Sequence, residues 1–142
     1  MLIEKRYRQV DIPRLYEINQ ICFQGEQCPP EQVFRDILMT SDVWVARMYT
    51  GVLGFAVVKP DSIPYLWMLA VLPAHRDMKV GTDILKDVEG YYLSKDYAEM
   101  TLHVHSDNWR AQRFYLSHGY RISGIEYEWY TDGLGIKMVK KL

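Results

Sequence analysis

Residues 65–72 read YLWMLAVL, a near-continuous apolar run of strand length that stops at Pro73. A strand that is apolar on both sides must be covered on both faces, as parallel strands in α/β sheets are. The chain then turns through PAHRDMKVG, and from Val80 onward Ile84, Leu85, Val88 and Tyr92 keep a helical period to about Ser94. AEMTLHVH follows as another strand. Strand 65–72, helix 80–94 and strand 98–105 form a βαβ unit, so the two strands are parallel and the crossover is right-handed. This helix and the next both start at the carboxyl end of the strands, the edge where open α/β sheets bind ligands.

The rest of the chain fits around that unit. LIEKRYR alternates weakly and predicts a first strand. DIPRLYEINQICF predicts a helix with Asp11 as its N-cap and Pro13 in its first turn, its apolar side formed by Ile12, Leu15, Ile18 and Cys22. GEQCPP breaks the chain, and PEQVFRDILM is a short second helix. DVWVARMY and VLGFAVVKP are rich in β-branched and aromatic residues and join at Thr50–Gly51 as a hairpin. NWRAQRFYLSHG predicts a helix opened by Asn108 or Asp107 and stopped by Gly119. YRISGIEYEWY and GLGIKMVKKL join through TDG as a closing hairpin. The expected class is α/β (α+β), with residues 1–142 as a single domain.

A net charge of −1 argues against a general nucleic-acid coat, whose affinity comes from a strongly basic face. Eleven tyrosines and four tryptophans suggest a sheet-rich core and a cleft with polar-tipped aromatic walls. Cys22 and Cys28 are too far apart for a CxxC pair and are expected to be free thiols in a reducing cytoplasm. No metal site is expected. The amino terminus does not read as a signal peptide, and no apolar run approaches the ~18 residues of a membrane span, so neither membrane nor nucleic acid is an expected partner.

The turn HRDMKVG opens a helix, where backbone N–H groups lack partners and carry partial positive charge. Arg76 and Lys79 add charge there, and Gly81 lets a backbone approach a ligand, so the sum is an anion site suited to phosphate. The plainer alternative is that Pro73 and Gly81 only punctuate a turn whose charges are solvated. There is no GxxxxGK[ST], and the GLG at 133–135 precedes a strand, so neither a P-loop nor a dinucleotide fingerprint is present. On the following helix Asn108 and Tyr115 lie about two turns apart on one face, with small Ala111 between them. Asn108 also reads as a plain N-cap, and Tyr115 as a core aromatic beside Phe114.

LAVLPAHRDMKVGTDIL followed by LHVHSDNWRAQRFYLSHGY resembles the GNAT superfamily of acetyl-CoA-dependent N-acetyltransferases. The family pattern is a strand ending V-x-P, then R/Q-x-x-G-x-G/A opening a helix, then a strand, an Asn, an Ala three residues on, and a Tyr before GF or GY. Here those positions are Val71, Pro73, Arg76, Gly81, Asn108, Ala111, Tyr115 and Gly119–Tyr120. The resemblance runs from about Tyr65 to the carboxyl terminus. Lys79 stands where the pattern has its middle glycine, which keeps the amide but adds a Cβ that crowds the turn.

The resemblance implies a mixed sheet of about seven strands with about four helices, whose fourth and fifth strands run parallel and splay apart. It implies that Arg76, Asp77, Met78, Lys79, Val80, Gly81 and Thr82 carry the pyrophosphate of acetyl-CoA. Leu69, Ala70 and Val71 would pair with the pantetheine arm, Asn108 and Ala111 would lie beside it, and Tyr115 would protonate the leaving thiolate. An amine acceptor would enter from the opposite side and attack the acetyl carbonyl directly, polarised by a backbone N–H near Leu69. YLWMLAV lacks the glutamate many relatives place there, so the base is His103, Glu126, Glu128 or a water relay. A site without a strong base favours an α-amino group, with pKa near 8, over a lysine near 10.4. The acceptor stays open among a protein N-terminus, a lysine and a small amine, and homodimers are common in the family. Two other readings remain: a non-catalytic acyl-CoA-binding or sensing domain, and a partner domain using exposed Trp44, Trp109 and Trp129.

Overall fold

The computed structural model describes the backbone of residues 1–142 and every side chain except those of Asp77 and Met78. The chain order is β1 (Leu2–Glu4), α1 (Ile12–Cys22), α2 (Glu31–Met39), β2 (Asp42–Met48), β3 (Gly51–Lys59), β4 (Tyr65–Val71), α3 (Val80–Ser94), β5 (Glu99–His105), α4 (Trp109–Ser117), β6 (Arg121–Tyr130) and β7 (Gly133–Lys141). The strands form one sheet in the order β1-β2-β3-β4-β5-β7-β6. β4 and β5 run parallel and the other neighbours antiparallel, as the βαβ reading requires. Both expected hairpins form, at Tyr49–Thr50 and Thr131–Asp132.

Two apolar layers cover the sheet. On one side α1 and α2 bury Ile12, Leu15, Ile18 and Phe34 against Val45, Phe55 and Met68. On the other α3 buries Ile84, Leu85, Val88 and Tyr92 against Leu66, Met100, Leu102 and Met138. Each such side chain contributes roughly 1.5–3 kcal/mol relative to exposure. Trp44 belongs to this second core at 2% exposure, meeting Tyr91 edge-on and Tyr92 at a tilt, so the expectation that it is an exposed interface residue is wrong. It alternates inward on a strand that is covered on both faces.

Capping is partly as expected. Asn108 caps α4, its side-chain oxygen accepting from the Ala111 N–H at 3.1 Å. Gly119 ends α4 at φ +91°, and the Tyr120 N–H bonds back to the Tyr115 carbonyl. Asp11 holds the N-cap position of α1, as expected, but its side chain makes no capping bond. Its carboxylate is buried and holds Arg47 of β2 at 2.7 and 2.8 Å, with the Arg8 N–H at 2.7 Å. A planar guanidinium offering two parallel donors is a stronger partner for a buried carboxylate than one helix amide.

The Arg47 hydrogen bonds and the Arg8 amide hold the Asp11 carboxyl below its ordinary value against the opposing effect of burial. Asp11 therefore binds a proton less readily folded than unfolded. Its contribution is complete above the ordinary carboxylate range near pH 4 and is lost as pH falls through the lowered folded value. Arg47→Ala should cost about 3 kcal/mol, because it strands a buried carboxylate. Urea melts should also show wild-type stability falling more steeply below pH 4 than that of Asp11→Asn.

Candidate active site

The site arises where the parallel pair stops pairing. β4 and β5 are in register only at Tyr65↔Thr101 and Leu66↔Leu102, whereas β4 keeps six partners on β3 and β5 keeps seven on β7. Each strand is held by its outer neighbour, so the two diverge without the sheet coming apart. Gly54 on β3 lets the far end of β4 lie close, since a Cβ there would sit 2.5 Å from the Ala70 carbonyl oxygen. The gap opens into a cleft of about 540 Å³. Tyr65, Trp67, Trp129 and Tyr130 give it the aromatic walls expected from composition.

Five of the candidate residues meet on this cleft: Leu69, His103, Asn108, Ala111 and Tyr115. Ala70 and Val71 do not line it; their side chains are buried in the two cores. The Val71 carbonyl oxygen already accepts from Arg76 Nε at 3.1 Å and from the Cys22 thiol at 3.4 Å. Cys22 and Cys28 are both free thiols. Arg76, Lys79, Val80, Gly81 and Thr82 form a second group, at the start of α3. Asp77 and Met78, the other two members of that group, have side chains outside the described residues.

Lys79 occupies the N-cap of α3 in the left-handed region, at φ 59° and ψ 22°. This is the position of the pattern's middle glycine, so the lysine carries backbone strain. Gly81 lies inside the helix, where a Cβ would make ordinary contacts of 3.6–3.7 Å with Phe114 and Val71. The glycine requirement at this turn therefore rests on position 79. At the start of α3 the Asp83 N–H bonds back to Lys79 O at 3.0 Å, and a helix start directs its first N–H groups toward whatever lies beyond it.

Tyr115 is buried, and burial alone raises its pKa well above the ordinary phenol value. It remains a proton donor at every physiological pH. On the other face of the sheet His103 shares a 2.8 Å hydrogen bond between Nδ1 and the Tyr65 hydroxyl. Its ring stacks on Trp129 with centroids 3.8 Å apart and 13° between planes. Gly135 makes that stack fit, because a Cβ there would meet the Trp129 ring at 2.6–2.8 Å. Nε2 is buried with no hydrogen-bond partner among the described residues, and Glu126 Oε1 lies 3.8 Å away, beyond bonding reach. Burial lowers the His103 pKa more than Glu126 raises it, so the imidazole is neutral at pH 7.

Glu126 touches His103 but does not line the cleft, and Glu128 is exposed on β6 at φ 62°. Tyr65 was not among the residues singled out from the sequence. Its signal was available only through strand register, which sets it opposite Thr101 and next to His103. The same holds for Glu26, whose Oε1 accepts from the Thr131 N–H at 2.6 Å and from its hydroxyl at 2.9 Å. That contact ties the segment before α2 to the β6–β7 hairpin, and both segments supply walls of the cleft. Among the described residues no cluster of side chains has the make-up of a metal site.

A family model described as the acetyltransferase (GNAT) family matches residues 12–120. An uncharacterised N-acetyltransferase of Methanocaldococcus jannaschii is 33% identical over 101 residues, spanning 69% of this chain and 65% of that protein. A ribosomal-protein alanine N-acetyltransferase from Escherichia coli superposes with a TM-score of 0.86 at 21% identity, covering 99% of this chain and 92% of that one. A GNAT family acetyltransferase from Elizabethkingia anophelis, solved with acetyl-CoA bound, superposes with a TM-score of 0.84 at 17% identity, covering 99% and 97%.

Replacing Lys79 with glycine should relieve the left-handed strain of about 1–2 kcal/mol, less about 0.5–1 kcal/mol of added unfolded-chain entropy. The expected result is a melting temperature higher by roughly 1–3 °C.

Proposed function

The chain belongs to the GNAT family of acetyltransferases, and from that we propose that it transfers an acetyl group from acetyl-CoA to a primary amine by direct attack. The observation that carries the reading is the divergence of β4 from β5 after two residue pairs, with Tyr115 at the resulting cleft. Past Leu66 the edge of β4 that faces β5 has no strand partner, and a slender amide-bearing chain can bond there as an added strand does. The pantetheine arm has that chemistry. The start of α3, with Arg76 and Lys79, takes the diphosphate.

The chemistry follows from the two sides of the sheet. The amine nitrogen attacks the thioester carbonyl carbon, the oxyanion is held by a backbone N–H near Leu69, and the C–S bond then breaks. Tyr115 donates to the departing sulfur. Its raised pKa makes full transfer to a thiolate, with pKa near 8.5, uphill, so its main effect is a hydrogen bond to developing charge. The amine loses its proton toward the Tyr65 hydroxyl, which passes its own proton to His103 Nδ1 across 2.8 Å. In that tautomer Nε2–H points toward Glu126, whose carboxylate steadies the imidazolium.

A histidine of lowered pKa is a weak base. It suits an acceptor already partly neutral at pH 7, so the acceptor class is an α-amino group rather than a lysine side chain. The E. coli relative acts on an alanine of a ribosomal protein, which accords with this choice. Two free thiols accord with a reducing cytoplasm. The strained Lys79 favours one rival, a coenzyme sensor without turnover.

Acetyl-CoA should raise the melting temperature, and peptide N-termini should release CoA thiol faster than lysine analogues. Stabilisation without thiol release from any amine selects the sensor. Tyr115→Phe should lower kcat by about 10²-fold with acetyl-CoA affinity unchanged. With an alkoxyamine acceptor, neutral across the range, kcat/KM should rise with pH through a midpoint below about 6.5. His103→Gln should remove that limb.

A further inference from the structure

His118, the residue that closes α4, lies outside the cleft and has no part in the transfer just described. Its ring leans on Phe114 with centroids 4.3 Å apart. Nδ1 is 2.7 Å from the Phe114 carbonyl oxygen, which accepts the Ser117 hydroxyl proton as well, at 2.6 Å. A carbonyl has no proton to give, so Nδ1 is the donor and carries hydrogen in both charge states of the ring. The two charge states of the ring then differ only at Nε2. That atom is 3.0 Å from the hydroxyl oxygen of Thr82, the third residue of α3.

The two charge states leave the Thr82 hydroxyl facing opposite ways. When His118 is neutral, Nε2 offers a lone pair and takes the single hydroxyl proton. The remaining face of Oγ1 then presents only lone pairs. A diphosphate also has only acceptors at neutral pH, so this arrangement repels it. When His118 is cationic, Nε2–H donates to Oγ1, the hydroxyl proton turns outward, and a full positive charge stands behind it. We infer that His118 is a positioning residue that sets the polarity of Thr82, so that the diphosphate of the coenzyme binds more tightly when His118 is protonated. The inference rests on the proposed coenzyme role of the α3 start. By linkage, the bound diphosphate raises the proton affinity of His118.

The charged groups on the elements around this pair are Arg76 and Lys79 in the turn, Asp83, Lys86, Asp87 and Glu89 of α3, Arg110 and Arg113 of α4, and Lys140 of β7. The Lys140 side chain runs beside Gly119 and is held on Glu89 at 2.8 Å. His75, in the turn after β4, is a second histidine near the α3 start, and the variants below separate it from His118.

The test uses dephospho-coenzyme A, which keeps the diphosphate but lacks the 3′-phosphate that would itself titrate near pH 6. Calorimetric Kd values from pH 8 to 5.5 should tighten about five- to tenfold more in the wild type than in Thr82→Val, the measure of one reoriented charge-assisted hydrogen bond. The deficit of Thr82→Val relative to the wild type should grow as pH falls. His118→Leu should lose the same pH-dependent component, and any dependence due to His75 should survive in both variants. In proton NMR the His118 titration midpoint should move up on adding the ligand. Equal pH dependence in wild type and both variants, or an unmoved His118 midpoint, overturns the inference while leaving coenzyme binding intact. Absence of binding at every pH overturns the coenzyme reading and this inference together.

Discussion

The structure depends on a pairing that is begun and not completed. β4 and β5 share two registered positions and then part, each still bound along its length to an outer neighbour. A parallel pair has evenly spaced but slanted bonds and is slightly weaker per residue than an antiparallel one, so this is where a mixed sheet opens at least cost. Opening it exposes backbone donors and acceptors toward a space walled by aromatic rings. Buried polar backbone must find partners, and here the partner is solvent or an extended ligand.

Once the strands part, residues remote in sequence acquire joint roles. Tyr115 faces the gap from α4, where burial keeps its phenol protonated. His103 approaches from the opposite face, held between the Tyr65 hydroxyl and the Trp129 ring. A proton donor that stays protonated and a weak base that stays neutral on two sides of one opening are the complementary pair that acyl transfer to an amine needs. Gly135 and Gly54 serve this arrangement by omission, the first leaving room for Trp129 and the second for the end of β4.

With a net charge of only −1, the charged side chains are arranged by local contacts. Arg47 is committed to Asp11, and Lys140 to Glu89. Arg76 is turned onto the Val71 carbonyl and the Cys22 thiol, with Nη2 3.6 Å from the sulfur. On the proposed reading, an anion arriving at α3 would compete for that guanidinium and so join coenzyme binding to the packing of α1 against the turn.

Period and punctuation in the sequence determined the βαβ unit, both hairpins and the order of helices, because apolar spacing and turn residues act over a few positions. The same local signals placed Asn108, Ala111 and Tyr115 on one helix face, and all three reach the cleft. The carboxylate of the N-cap Asp11 and the ring of Trp44 both depart from expectation for one reason. A preference for capping or for exposure yields to whatever the distant chain supplies, here the Arg47 fork and the second core. The pairing of Tyr65 with His103, the stack on Trp129 and the bond from Thr82 to His118 belong to tertiary structure alone. They join residues 36 or more positions apart in two of these cases, where strand register and helix packing decide contact and no local pattern records it.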